Sequence, residues 1–198
     1  MRPVLAISGK RLYGKDTLAQ LLCDEAAAAG RPLVRRAFAD QSKEALAQRL
    51  LASGEALDLE RMSADRGYKE RWRPRLTEFT EAELARDPRV FCERLFAAPL
   101  PSWAWGLLVS DLRLAVEVEC LRARGAFLAR LRCAPKVRAV LGWTHVPEID
   151  GHRTETELDD RADWDAEVEN PGDLDALRER ARALLGRFFA ACDRRERA

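Results

Sequence analysis

Histidine is nearly absent from this chain. Only His145 and His152 occur, so a zinc site or a Ser/His nucleophile has little to be built from. The five cysteines (Cys23, Cys92, Cys120, Cys133, Cys192) are odd in number, scattered and without CxxC spacing. That pattern argues for the reduced thiols of a cytoplasmic protein over a disulfide framework or a metal cluster. No apolar run approaches a membrane span, and Met1 to Ser8 lacks a signal-peptide layout. Charge of one sign is also missing: 34% of residues are charged, yet the formal net charge is +1. Neither nucleic acid nor an acidic membrane is attracted globally, so anion binding must come from local basic clusters. The five tryptophans are dispersed and form no basic–aromatic platform for single strands. Repeats, low-complexity tracts and linkers are absent.

What is present suits one α/β domain over residues 1–198, because 47% of the residues are hydrophobic and can fill a core. Pro3 to Ser8 reads as a buried strand, Thr17 to Ala29 as a helix stopped by Gly30, and Leu33 to Ala39 as a second strand interrupted by Arg35 and Arg36. Gln41 to Leu51, much of Glu55 to Arg86, and Arg89 to Ala97 have helical character. Trp105 to Ser110 is a central parallel strand ending at Asp111, followed by a helix over Leu114 to Arg124 and a strand over Ala126 to Cys133. Trp164 to Glu169 is a last strand, and Asp173 opens a long terminal helix to Cys192. The alternation predicts a three-layer α/β/α fold around a parallel sheet. Residues 135–160 are polar, weakly patterned and too long for an ordinary connection, which suggests a mobile lid.

The most informative stretch is Gly9-Lys10-Arg11-Leu12-Tyr13-Gly14-Lys15-Asp16, between the first strand and the first helix. This is G-x-x-x-x-G-K in the context a phosphate-binding loop requires. Glycines let backbone amides converge on phosphate oxygens, the helix N-terminus adds its positive dipole end, and Lys15 supplies a point charge. Asp16 stands where Ser or Thr commonly meets Mg²⁺, and a carboxylate can hold that hard cation directly or through water. Asp111, at a strand end where parallel sheets gather ligands, is a second candidate for the metal, or else a helix N-cap. Lys43, Lys69, Arg73, Arg113, Arg130, Arg132 and Arg138 are the basic residues available to neutralise transferred charge. Arg113 follows Asp111 at the functional edge, and Arg138 stands at the start of the lid.

Ser8-Gly9-Lys10-Arg11 with Gly14-Lys15-Asp16, then Tyr68-Lys69-Glu70, Asp87-Pro88 with Phe91-Cys92, Val109-Ser110-Asp111 with Arg113, Gly142-Trp143 and Glu169-Asn170 resemble, in order, the animal-type phosphomevalonate kinase family. The resemblance implies a nucleoside-monophosphate-kinase-like P-loop enzyme. Such an enzyme makes 5-diphosphomevalonate and ADP from 5-phosphomevalonate and ATP with Mg²⁺. It implies that Lys10, Arg11, Gly14, Lys15 and Asp16 hold ATP and its metal. Lys43, Lys69, Arg73, Asp111, Arg113 and Asn170 would face the acceptor, and Arg138 would come down with the lid. Leu12, Leu114 and Leu141 stand where the family carries basic residues, and Phe38-Ala39-Asp40 is shared with (deoxy)nucleoside monophosphate kinases. A nucleotide acceptor is therefore the alternative, and a P-loop regulator without phosphotransfer is the alternative of another class. A phosphate acceptor fits the chemistry. Its oxygen is already anionic near neutrality, with a second pKa of about 6, so screening by cations matters more than a general base. A monomer acting on a small phosphate-bearing molecule is the expectation.

Overall fold

The alternating pattern resolves into a five-stranded parallel sheet in the computed structural model, which describes residues 2–197, Arg66 by its backbone alone. Strands β1 (Val4–Ser8), β2 (Leu33–Arg36), β3 (Gly106–Leu112), β4 (Phe127–Cys133) and β5 (Ala166–Asn170) lie in the order β2-β3-β1-β4-β5. The helices are α1 (Lys15–Ala28), α2 (Phe38–Ala52), α3 (Leu59–Ala64), α4 (Arg66–Arg86), α5 (Val90–Ala97), α6 (Ala115–Ala123), α7 (Pro135–Val140), α8 (Pro147–Asp150), α9 (Arg153–Thr156) and α10 (Leu174–Glu196). β1, β3 and β4 are buried almost throughout, as strands covered on both faces are. The connection through α1 runs from β1 past β3 to β2, whereas α6 leads from β3 past β1 to β4. Right-handed crossovers then put α1 and α6 on opposite faces, which gives the expected three layers.

The chain forms two compact units, one built from residues up to Arg36 and from Pro99 onward, the other from Ala37–Ala98. In the first unit α10 packs on α1 over the sheet. Its buried Leu177, Ala181, Leu184, Leu185 and Phe188 recur at helical spacing and meet Leu18, Leu22, Leu5, Ile7 and Val168. Trp105 closes this core edge-on against Phe188 and Phe189, with the Arg31 guanidinium 5.1 Å from its ring centroid. The second unit has its own core of Leu46, Leu50, Leu57, Met62 and Tyr68. Asp58 and Asp65 cap α3 and α4 by accepting from the amides of Arg61 and Tyr68.

Two local readings of the sequence change. β3 runs on to Leu112, so Asp111 lies inside the strand, and Leu114, not Asp111, precedes α6 as its N-cap residue. The cause is a bulge. Ala6 pairs with Val109 but Ser8 with Leu112, so two steps on β1 face three on β3. Residues 135–160 also contain more structure than their weak pattern suggests, namely the short helices α7, α8 and α9. Among the described residues, no helix is long and apolar enough to cross a membrane.

Candidate active site

β1 and β3 send their following helices to opposite faces, so their carboxyl ends flank the crevice where doubly wound sheets bind ligands. The Gly9–Asp16 loop leaves β1 at that point. Leu12 and Gly14 adopt left-handed backbone angles (φ 59° and 87°), and the second of these starts α1 directly at Lys15. Lys15 is buried, and its Nζ donates to the Lys10 carbonyl at 2.8 Å. Burial pushes its ammonium pKa down to about 7 and the Arg113 guanidinium adds to the fall, against the pull of Glu155, Asp16 and Asp111. A polyphosphate on the loop would add opposite charge and favour the ammonium.

The loop is braced from three directions. Asn170, at the end of β5, donates from Nδ2 to the Tyr13 carbonyl at 2.9 Å and accepts from the Gly172 amide at 2.9 Å. Arg138 donates to the Arg11 carbonyl at 3.0 Å, its guanidinium lying 5.0 Å from the Tyr13 ring centroid and 4.4 Å from that of Trp143. Arg130, buried on β4, donates to Ser8 Oγ at 2.8 Å. Asp16 bonds to Arg35, which also donates to Ser110 Oγ at 2.9 Å. The two arginines that interrupt the apolar pattern of β2 therefore include a partner for the loop.

The 135–160 segment meets the loop with carboxylates. Asp159 pairs with Lys10 at 2.5 Å and Arg130 at 3.1 Å. Asp150 accepts from Arg11 at 3.1 Å, Arg138 at 3.2 Å and the Trp143 indole at 3.2 Å. Its burial opposes ionisation, but these donors and the Val146 amide hold its pKa well below the usual carboxylate range. Glu155 accepts from the Arg11 amide at 2.6 Å and from the Arg113 side chain. Sequence reasoning missed these three acids. The available signal was the recurrence of Asp and Glu in a segment expected to fold over a loop carrying Lys10, Arg11 and Lys15.

Arg113 is held by its backbone as well, donating to Glu117 Oε2 at 2.8 Å, an oxygen that the Leu114 amide reaches at 3.0 Å. Glu117 is buried, and desolvation, with Asp111 nearby, pushes its pKa up to about 8. Between the ordinary carboxyl range and about 8 the folded protein binds the extra proton, so stability should fall as pH rises through that window. Thermal melts at pH 5, 7 and 9 check this. Glu117→Gln should gain stability relative to the parent at pH 9 and lose that advantage at pH 5.

Lys43, Lys69 and Arg73 belong to the second unit. Lys43 on α2 pairs with Asp40 at 2.7 Å, Lys69 is exposed on α4, and Arg73 makes two 2.7 Å bonds to Glu70. Tyr68 is buried beside Lys69, and its hydroxyl accepts from the Asp58 amide at 3.2 Å. In the first unit the structure brings together Lys10, Arg11, Lys15, Arg113, Arg138 and Asn170 through the contacts above.

The phosphomevalonate kinase family model matches residues 7–126, from β1 to just beyond α6, and so includes the loop, Asp111 and Arg113. The chain belongs to the phosphomevalonate kinase family. A phosphomevalonate kinase of Drosophila melanogaster is 30% identical over 185 residues, which cover 88% of this chain and 92% of that protein. Solved structures with a similar course include a gluconokinase from Sinorhizobium meliloti (18% identity, TM-score 0.48, 100% of this chain and 98% of that one). A sugar kinase from a Janibacter species is another (13%, 0.46, 96% and 98%). Membership of the family makes the chain a kinase, a phosphotransferase that draws on ATP.

Proposed function

We propose that this chain transfers the γ-phosphoryl group of ATP, with Mg²⁺, to 5-phosphomevalonate, giving 5-diphosphomevalonate and ADP. The observation that carries this reading is the family match across β1 to α6, falling on a loop whose lysine is buried with its Nζ on the Lys10 carbonyl. Lys15 would draw the β- and γ-phosphates, while the amides at the start of α1 would face the polyphosphate. Lys10, Arg11, Leu12, Tyr13, Gly14 and Asp16 complete that cradle, with Gly9 as its entry. Arg113, at the end of β3, would screen the charge moving between donor and acceptor. Lys43, Lys69, Arg73, Asp111 and Asn170 complete the set assigned to the acceptor. Arg138 serves the nucleotide side by fixing the Arg11 carbonyl.

The residues fit a magnesium ion carried mainly by the nucleotide. Among the described residues, no group of three or more His, Cys, Asp or Glu is gathered to hold a metal. Mg²⁺ characteristically takes one or two carboxylates, phosphate oxygens and several waters. Asp16, whose side chain is 89% exposed with Oδ1 on Arg35, and Asp111 are the carboxylates proposed for it. The ion would supply charge neutralisation on the phosphates. The acceptor's own phosphate oxygen is the nucleophile, so no side chain is required to remove a proton.

ADP release measured with phosphomevalonate against a panel of nucleoside monophosphates tests the reading. The expected outcome is a kcat/KM at least about a hundredfold higher for phosphomevalonate, because a site built for one polar acceptor leaves its buried groups unpaired with another. Equal or better turnover of a nucleoside monophosphate would replace it.

A further inference from the structure

Glu155 is 7% exposed and joins two parts of the candidate site. One carboxylate oxygen accepts from the Arg11 amide at 2.6 Å and the other from the Arg113 guanidinium, whose Nη1 also donates to the Thr154 carbonyl at 3.2 Å. The segment that carries Glu155 is anchored on both sides of it. His152 Nδ1 accepts from the Thr154 amide, Glu157 accepts from the Ala115 amide at 2.7 Å, and Leu158 is buried. Because Glu117 separately holds the Arg113 backbone, both ends of that arginine are fixed by carboxylates. Arg11 is the third residue of the loop, so the bridge sets the distance between the loop backbone and the one guanidinium it shares.

We propose that Glu155 is a positioning residue that sets the Arg113 guanidinium against the phosphate loop for phosphoryl transfer. It acts through Arg113 and touches neither substrate. A carboxylate suits this task because its two oxygens accept from two donors at once, and charge-assisted bonds of this type are short and directional. A carboxamide offers one acceptor oxygen and must turn an NH₂ toward the other donor, so it keeps the shape and breaks the bridge. The inference rests on the kinase reading above. Turnover by the wild type tests that reading alone, and the variants are compared with the wild type on whichever acceptor it uses.

The test measures kcat and, by calorimetry, the Kd for ADP in Glu155→Gln, Arg113→Met and the double variant, with the exposed Glu148→Gln as a control. Glu155→Gln should lower kcat tenfold or more while ADP binds within threefold of wild type or tighter, since a negative charge has left the neighbourhood of the phosphates. The double variant should be no slower than Arg113→Met, and Glu148→Gln should match wild type. Glu155→Asp, which keeps the charge but shortens the reach, should show the same split and serves if the Gln variant does not fold. A kcat within threefold of wild type, ADP binding weakened in step with kcat, or losses that add in the double variant would each overturn the proposal.

Discussion

Lys15→Met is expected to lower kcat by about 10²–10³, the cost of removing one fixed donor aimed at charge that develops in transfer. The loss should come without loss of the fold. Lys15 carries its ammonium into a buried position beside Arg113, with its pKa drawn down to about 7. A methionine of similar length fills the space without that desolvation, so its melting temperature at pH 7 should equal or exceed that of the parent. ADP release in the presence of ATP, Mg²⁺ and phosphomevalonate gives the first measurement, and a thermal melt gives the second. A variant that turns over near the parental rate would remove Lys15 from the mechanism. One that melts far lower would mean the lysine is holding the loop through its bond to the Lys10 carbonyl.

Gly14→Ala should be the most damaging single methyl in the chain for nucleotide binding. At φ 87° an L side chain is strained, at about 1–2 kcal/mol. The added Cβ would lie 2.5 Å from Asn170 Nδ2, closer than such atoms approach. Asn170 cannot swing aside cheaply, because it is buried and uses both ends of its amide on Tyr13 and Gly172. The loop must therefore shift, and calorimetry should show ADP affinity reduced at least about a hundredfold, or roughly 2.7 kcal/mol. Combining the change with Asn170→Ala separates the causes. It removes the collision but leaves the backbone strain, so affinity should recover in part. Unchanged ADP binding in Gly14→Ala would show that the amides beyond Gly14 do not carry the phosphates.

The elements nearest the loop were the most legible in the sequence. An apolar run, two glycines five residues apart and an amphipathic helix ending at Gly30 are local features with local causes. Asp173 capping α10 was readable for the same reason. Asp111 was misplaced relative to its strand because the end of β3 is set by pairing with β1, and one inserted residue there leaves no mark on composition. Arg138 shows a different limit. Its position in the chain suggested a lid cation, but what it does in this structure depends on the Tyr13 and Trp143 rings lying against it and on Asp150 accepting from it. Asp150, Glu155 and Asp159 were the least legible. Their partners in the loop, Lys10 and Arg11, lie more than a hundred residues away, and a charge in a polar segment looks the same whether it faces water or a phosphate loop.

The amide of Asn170 that steadies the turn after β1 belongs to the last strand of the sheet. During synthesis, the loop proposed to grip the triphosphate precedes this support by 157 residues and gains it only once β5 has formed. Tight capture of ATP, if the loop performs it as proposed, would then await the assembled sheet, and a fragment lacking β5 would be spared from sequestering nucleotide it could not use.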